Sequence, residues 1–212
     1  MGIISKGILG GFSGTVGNVV GGTWKGISYM RSLAATRKSN FSQAQLEQQA
    51  KFALTIKFLQ PLAGLLNLSF REYAVKMSGF NNAMRYTLKN AITGVYPSFL
   101  IDYSLVLVSR GDLPNALSPT ATAGSGKISF NWTDNSGVGK AAGTDKAILV
   151  VYCPTKQQCI YNSLGADRSM GTDMLPTAAF IGETVETYIG FISADGKNIA
   201  NSIFTGSLTV LP

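Results

Sequence analysis

The sequence has 212 residues, carries a net charge of +7 and contains no histidine. Without histidine the chain has no imidazole general base, no Ser-His-Asp triad and no histidine metal ligand. Charged residues make up only 14% of the chain, whereas soluble domains average about 25%. We therefore expect much of the surface to contact other protein.

The N-terminal segment combines glycine with large apolar side chains. Nine of the first 26 residues are glycine, yet Ile, Val, Leu, Phe and Trp are interspersed, and the first 32 residues contain no Asp or Glu. A flexible linker lacks large apolar groups, and a soluble monomer rarely exposes such a segment. The pattern predicts strands at 15–20 and 23–31 around a Gly21-Gly22 hairpin turn. Because an isolated ribbon is marginal in water, we expect this arm to pack on another surface.

The uncharged run 7–24 is long enough to span a bilayer. Its glycines and polar residues make it too weakly apolar for a transmembrane helix, so no membrane span is predicted. The N-terminus also lacks the pattern of a standard signal peptide.

Helical signals follow the arm and a basic connector. Ser42 as N-cap and Gln45 three residues later form a capping box. Apolar residues then recur at helical spacing as far as Pro61, which ends or kinks the helix. Two further helices are predicted at about 62–77 and 81–91.

The apolar period changes to two after residue 100. Residues 128–133 alternate apolar and polar side chains, which predicts a half-buried strand, and 147–153 are apolar on both faces, as in a central strand. Asp195-Gly196, between strands predicted at 184–194 and 198–204, indicates a hairpin. With turn residues recurring between the strands, this pattern predicts a β-sandwich of about seven strands.

The predicted fold class is therefore α+β. Residues 1–98 would hold the Gly-rich β arm and a basic helical domain, and residues 99–212 would hold the sandwich. Residues 128–133, 147–152 and 187–191 resemble a fibronectin type III module, in which a Trp lies on the second strand and a Tyr starts a late strand. Trp132 and Tyr188 occupy those places. The resemblance covers about residues 100–210 and implies an Ig-like sandwich.

The whole chain also resembles an uncharacterised bacterial family, a domain of unknown function of Bacteroidota type. The residues that carry the resemblance are Lys6-Gly7-Ile8-Leu9-Gly10-Gly11-Phe12-Ser13-Gly14, Trp24-Lys25-Gly26, Asp134-Asn135-Ser136-Gly137 and Asn201-Ser202. It implies a shared fold and transfers no activity.

Cys153 and Cys159 are the only cysteines, and Pro154 follows the first of them. Their spacing suits a cross-strand pair that flanks a hairpin loop. The pair is compatible with a disulfide, and two buried or half-buried thiols are the alternative.

No catalytic, cofactor-binding or metal-binding residues are predicted. Gly126-Lys127 and Gly139-Lys140 lack the Ser/Thr and the upstream glycine of a phosphate-binding loop. Most carboxylates fall at turns, where Asp hydrogen-bonds its own backbone. We therefore expect a protein without enzymatic activity and without a cofactor.

Charge is unevenly distributed along the chain. Residues 1–92 have 11 basic and 2 acidic residues, a net charge of +9, and residues 93–212 have 7 and 9, a net charge of −2. The two halves can bind each other head to tail, or the basic half can bind nucleic acid or an anionic surface. For the second case, the helical region offers cations together with aromatic residues: Phe52, Phe58, Phe70, Tyr73 and Tyr86. The favoured interpretation of these aromatic residues is nevertheless a helical core with solvated lysines outside it, because they follow helical spacing.

The favoured hypothesis is a structural protein that assembles with itself into a filament, tube or shell through the arm. Nucleic-acid association, for instance in a virion, is the less favoured alternative, and an adhesion or binding module built on the sandwich is a third. A cell-surface, extracellular or virion location is favoured over the cytoplasm. The predicted assembly interface consists of the large apolar residues of the arm: Ile3, Ile4, Ile8, Leu9, Phe12, Val16, Val19, Val20, Trp24, Ile27 and Tyr29.

Overall fold

The computed structural model describes residues 2–4, 10–35, 40–74 and 76–212. The chain divides into two compact units, Met1–Gln43 and Ala44–Pro212. Ile8, Leu9 and residues 36–39 of the basic connector lie outside the described residues. The predicted boundary between residues 98 and 99 falls inside the second unit.

The first unit is an antiparallel sheet in the order β1-β2-β3-β4. Its strands are β1 (Ile3–Ile4), β2 (Phe12–Val16), β3 (Val19–Trp24) and β4 (Ile27–Ser32).

Tight turns at 17–18 and 25–26 join β2 to β3 and β3 to β4. Gly17, Lys25 and Gly26 have φ values of 57°, 49° and 81°, the left-handed conformation that two-residue hairpin turns require. The predicted turn at Gly21-Gly22 is wrong, because both glycines lie in the middle of β3.

The second unit begins with helices α1 (Gln43–Leu59), α2 (Ala63–Ser69) and α3 (Gly79–Asn90). Helix α1 starts directly after Ser42, as predicted, and a 3-10 turn that contains Pro61 separates it from α2. Helix α2 ends at Ser69, earlier than predicted. Helix α3 is capped by Ser78, whose hydroxyl accepts a 3.2 Å hydrogen bond from the N–H of Asn81.

The remaining strands form a small hairpin and two larger sheets. The hairpin pairs β5 (Ile92–Val95) with β6 (Ser98–Ile101). The larger sheets have the strand orders β10-β9-β12-β13 and β11-β8-β7. Their strands are β7 (Leu117–Gly124), β8 (Lys127–Thr133), β9 (Lys146–Cys153), β10 (Gln158–Asn162), β11 (Thr172–Pro176), β12 (Thr184–Ile192) and β13 (Ile203–Thr209).

Both faces of strand β9 are buried, as its continuous apolar sequence predicts. Ile148 and Val150 belong to the core shared with the helices, which includes Phe58. Leu149 and Val151 belong to the core that this sheet shares with β8. The predicted β-sandwich is present, and the helices pack on the outer face of its four-stranded sheet. The second unit therefore has three layers: the three-stranded sheet, the four-stranded sheet and the helices.

The predicted turn at Asp195-Gly196 is present, and the N–H of Gly196 donates a 2.7 Å hydrogen bond to the carbonyl of Ser193. The strand after it starts later than predicted, at Ile203, and the intervening chain pairs through two isolated bridges, from Ile199 to Ile192 and from Ala200 to Leu113.

Candidate functional site

The described residues of the N-terminal sheet form no hydrophobic core of their own. Among the described residues of the first unit, only Gly21 is buried. Glycine at this position lets the ring of Phe12 lie against the strand, since a Cβ there would come within 2.6 Å of the ring. Gly22 serves Tyr29 in the same way, with a Cβ 3.0 Å from its ring. The glycines of β3 therefore leave room for aromatic rings to pack against the backbone of the strand.

Both faces of this sheet expose large apolar side chains. Residues opposite each other in an antiparallel ladder share a face. Trp24 pairs with Ile27 across the second turn, and they are 52% and 67% exposed. We call their side of the sheet the Trp24 face, and the ladder also places on it Ile3, Val20 and Tyr29.

The opposite side, which we call the Phe12 face, holds Phe12, Val16, Val19 and Met30. Met30 is 72% exposed. Ile4 pairs with Phe12 in the backbone ladder. Single exposed apolar residues are ordinary on a protein surface, but a sheet with apolar clusters on both faces is a candidate interaction surface.

Strand β4 also leaves one edge of this sheet open in the described part of the chain. Residues flanking a two-residue turn form a hydrogen-bonded pair, and such pairs alternate along the ladder. Trp24 and Ile27 are that pair, and the N–H of Leu33 continues the series with a 2.7 Å bond to the carbonyl of Asn18. The backbone groups of Ser28, Met30 and Ser32 consequently point away from β3.

The charge of the sheet has a single sign. Its described residues include Lys25 and Arg31 but no Asp or Glu. The Nζ of Lys25 lies 5.1 Å from the ring centroid of Trp24, a cation–π contact at the tip of the hairpin.

Sequence reasoning missed two members of the exposed surface. Met30 and Leu33 are exposed large side chains on or next to β4. The signal was the adjacent pair Tyr29-Met30, since neighbouring apolar residues in a strand point to opposite faces.

The two cysteines do not form a disulfide. They lie in a β9–β10 hairpin, as predicted, but Cys153 pairs with Gln158, and Cys159 pairs with Tyr152. This offset places the side chains on opposite faces of the sheet: Cys153 lies in the core between the sheets and Cys159 packs on the helical side. The predicted contact across the hairpin is therefore wrong.

The aromatic residues of the basic region divide between core and surface. Phe58 and Phe70 are buried in the helical core, Phe52 and Tyr73 are exposed, and Tyr86 is half-buried. Phe58 and Phe70 are therefore core residues, and of these five aromatic residues Phe52, Tyr73 and Tyr86 are the ones accessible to solvent.

No group of three or more His, Cys, Asp or Glu side chains suited to a metal ion occurs in the part of the chain that the structure describes. One helical stretch there, Gln43–Ser69, has the length and apolar composition that crossing a membrane requires. Core helices of soluble proteins share this composition, and Leu59, Leu62 and Leu66 of this stretch are buried in the helical core.

Comparison with known proteins adds a family. No curated protein sequence matches the chain significantly. The fibronectin type III domain of human collagen alpha-1(XX) chain is a solved structure similar to 49% of this chain and 91% of its own length, with 10% identity and a TM-score of 0.35. That likeness is too low to argue from. The family model described as DUF6266, a family of unknown function, matches residues 11–206, which confirms the expected kind of family: the chain belongs to DUF6266.

Proposed function

We propose that this protein is a structural protein without enzymatic activity, and that it assembles with copies of itself through the sheet β1–β4. The observation that carries the proposal is the exposure of large apolar side chains on both faces of a sheet whose only buried described residue is Gly21. Burying one such side chain stabilises a contact by about 1.5–3 kcal/mol. Association with another copy would bury these side chains and so stabilise the assembly.

Strand addition is the mode that the sheet favours. The outward backbone groups of Ser28, Met30 and Ser32 would pair with a strand edge of a neighbouring copy, and the side chains of Trp24 and Ile27 would set the register. Strand β4 would pair with an edge strand of the sandwich in the neighbouring copy. Opposite charge favours this contact, because residues 93–212, which contain the sandwich, have a net charge of −2 and residues 1–92 have a net charge of +9. A head-to-tail contact of this type grows a filament or tube, or closes into a shell.

Two double variants of the full chain test the proposal. Trp24→Ser/Ile27→Ser removes the apolar pair at the tip of the sheet. Val95→Ser/Leu100→Ser is the matched control, because these exposed apolar residues lie on the β5–β6 hairpin of the second unit. We expect light scattering to give assemblies for the unchanged chain and the control, and a 22.5 kDa species for the first variant.

The proposal is wrong if the unchanged chain stays at monomer mass, or if both double variants assemble equally. Raising the salt concentration provides a second criterion, because apolar burial is not screened by ions and the assemblies should persist. Deleting residues 1–32 should likewise leave a smaller species with an intact sandwich.

Fluorescence reports on Trp24 directly in a Trp132→Phe background, where Trp24 is the remaining tryptophan. If Trp24 lies between subunits, its emission shifts to the red when assemblies dissociate on dilution while the circular dichroism spectrum is unchanged. An emission maximum that is independent of dilution would place Trp24 outside the interface.

This proposal includes the other expectations drawn from the sequence. The partner would be another copy of the chain, no cofactor would be needed, and the sandwich would be of the fibronectin type III kind. A Bacteroidota source and a cell-surface, extracellular or virion location also stay predictions.

A further inference from the structure

A basic cleft runs along one side of helix α3, with a volume of about 440 Å³. The helix contributes Asn82, Arg85, Tyr86, Lys89 and Asn90, which follow the i, i+3, i+4, i+7, i+8 spacing of one helical face. Tyr73 and Arg110 from two loops complete the lining. The cleft belongs entirely to the second unit and is independent of the N-terminal sheet.

Three cationic side chains meet at this cleft. In the part of the chain that the structure describes, no carboxylate lies within ion-pair distance of Arg85, Lys89 or Arg110. The guanidinium of Arg110 instead lies over two aromatic rings, 4.6 Å from the centroid of Tyr73 and 5.6 Å from that of Tyr86. Stacking holds a permanently charged group at the wall while leaving its N–H donors for a ligand.

Two acidic residues, Glu72 and Asp112, lie beside Tyr73 at this wall of the cleft. The hydroxyl of Tyr73 donates a hydrogen bond to Oδ1 of Asp112. This bond raises the pKa of Tyr73, so the phenol stays neutral beside the three cations. Three cationic side chains line the cleft against these two carboxylates, so the net charge that a ligand meets there is positive.

Two asparagines supply hydrogen-bond acceptors. Asn82 is only 5% exposed and donates its amide N–H to the carbonyl of Phe70 at 3.4 Å. Asn90 donates to the carbonyl of Tyr86 at 2.8 Å. No described group donates a hydrogen bond to either side-chain oxygen, and both residues line the cleft. Amide oxygens beside cations suit a ligand that combines an anion with N–H donors.

We infer that this cleft binds a nucleoside phosphate. Arg85, Lys89 and Arg110 would hold the phosphate, and the amide oxygens of Asn82 and Asn90 would accept hydrogen bonds from a base. A volume of about 440 Å³ suits one nucleotide. That nucleotide is either free or one unit of a single-stranded nucleic acid.

Arg85 and Lys89 also line a second pocket, and this pocket distinguishes a free nucleotide from a single-stranded nucleic acid. It is also lined by Phe52, Met84 and Leu88. A single-stranded nucleic acid that passes over Arg85 and Lys89 would place its next base against the exposed ring of Phe52, since aromatic rings stack on unpaired bases. A free mononucleotide would not reach that ring.

The test uses the full chain and three probes: AMP, a short single-stranded oligonucleotide and inorganic phosphate. We expect saturable binding of AMP or the oligonucleotide at low salt, weakened by about tenfold or more in Arg85→Gln and in Lys89→Gln. Both side chains are exposed, so the variants should keep the fold, which thermal unfolding checks. Lys127→Gln and Lys140→Gln are the controls, because these exposed lysines lie in the sandwich region.

Each outcome decides the matter. A strand as ligand is supported if the oligonucleotide binds more tightly than AMP, loses affinity steeply with salt and is weakened by Phe52→Ala. A free nucleotide is supported if AMP binds as tightly and Phe52→Ala has no effect. The inference is overturned if neither probe binds, if the control variants weaken binding equally, or if inorganic phosphate binds as tightly as AMP.

Discussion

Arg168 and Asp145 form a salt bridge in the interior of the protein, with Nε of the arginine 3.1 Å from Oδ2 of the aspartate and the side chains 0% and 2% exposed. The guanidinium also donates hydrogen bonds to Oδ1 of Asn135 at 2.7 Å and to the carbonyl of Pro114 at 2.9 Å, and it lies 3.9 Å from the ring centroid of Phe191. One buried cation thus ties together several loops of the sandwich.

Replacing Arg168 by Met should lower the free energy of unfolding by about 3–5 kcal/mol, because the carboxylate of Asp145 would remain buried without its partner. The control is Lys146→Met, which breaks a 2.6 Å salt bridge to Asp167 whose side chains are both 39% exposed. That variant should lose at most about 1 kcal/mol. Urea unfolding measures the loss of stability in both variants. Equal losses would mean that burial of the Arg168–Asp145 pair does not determine how much it contributes to stability.

Trp132→Ala should cost about 3–5 kcal/mol of stability, as for other large buried aromatic side chains. The indole packs edge-on against Phe191 with centroids 5.5 Å apart, and its Nε1–H donates a 2.7 Å hydrogen bond to the carbonyl of Arg168. Trp132→Phe should lose less stability, because it keeps a ring against Phe191 and loses only part of the buried indole volume together with the hydrogen bond. The hydrogen bond itself is worth about 0.5–1.5 kcal/mol, since the carbonyl of Arg168 also accepts from the N–H of Gly171 at 3.4 Å.

Trp24→Ala is the matched comparison for that experiment. Trp24 is 52% exposed and lies in the first unit, so its removal should leave the denaturant midpoint of the second unit unchanged. A midpoint for Trp132→Ala close to that of Trp24→Ala would contradict the packing described for β8.

Both cysteines should titrate as free thiols without prior reduction. Two thiols per chain are expected with a thiol reagent in denaturant, because the β9–β10 register places the side chains on opposite faces. In the folded protein the reaction should be slow, since Cys153 is buried, and burial raises the pKa of the Cys159 thiol to about 12. Fewer than two thiols in unreduced, unfolded protein would show a bridge that the register excludes.

Replacing Glu186 by Gln should stabilise the protein at neutral pH. The side chain is 8% exposed, and burial raises its pKa above the ordinary value, opposed by a hydrogen bond from Ser207. The folded state therefore keeps a proton that the unfolded state releases near pH 4.3. This contribution to stability is complete below that pH and is lost as the pH rises through the folded pKa.

The Gln variant lacks this titration. Its free energy of unfolding should match that of the unchanged chain near pH 4 and exceed it at pH 7, as measured by urea unfolding at the two pH values. A variant that is less stable than the unchanged chain at pH 7 would show that the ionised carboxylate is favoured in the fold.

Local signals in the sequence were sufficient for several elements. The capping box at Ser42 predicted the first residue of α1, and Pro61 predicted its end. The alternation in β8 and the doubly apolar run of β9 predicted which of their faces are buried. These features depend on interactions within a few residues, or on the two-residue period of a strand, so the sequence carries them directly.

The mistaken predictions concern pairing. Gly21-Gly22 looks like a hairpin turn, but the actual turns need left-handed residues at Gly17, Lys25 and Gly26, and the middle glycines instead accommodate the rings of Phe12 and Tyr29. A shift of one residue in a ladder moves every side chain to the other face, which is why the spacing of the cysteines did not predict their separation.

The amino-acid pattern alone was enough to predict helices followed by a sandwich of about seven strands, and an apolar, glycine-rich N-terminus. Three features became visible only in the folded chain: the helices cover the outer face of the β9–β12 sheet, the N-terminal sheet is exposed on both faces, and Arg85, Lys89 and Arg110 line one cleft. The difference lies in the range of the interactions. Helix caps and strand periods are local, whereas the layer that covers an apolar face, the register of a ladder and the side chains that meet in a cleft depend on contacts between residues far apart in the chain.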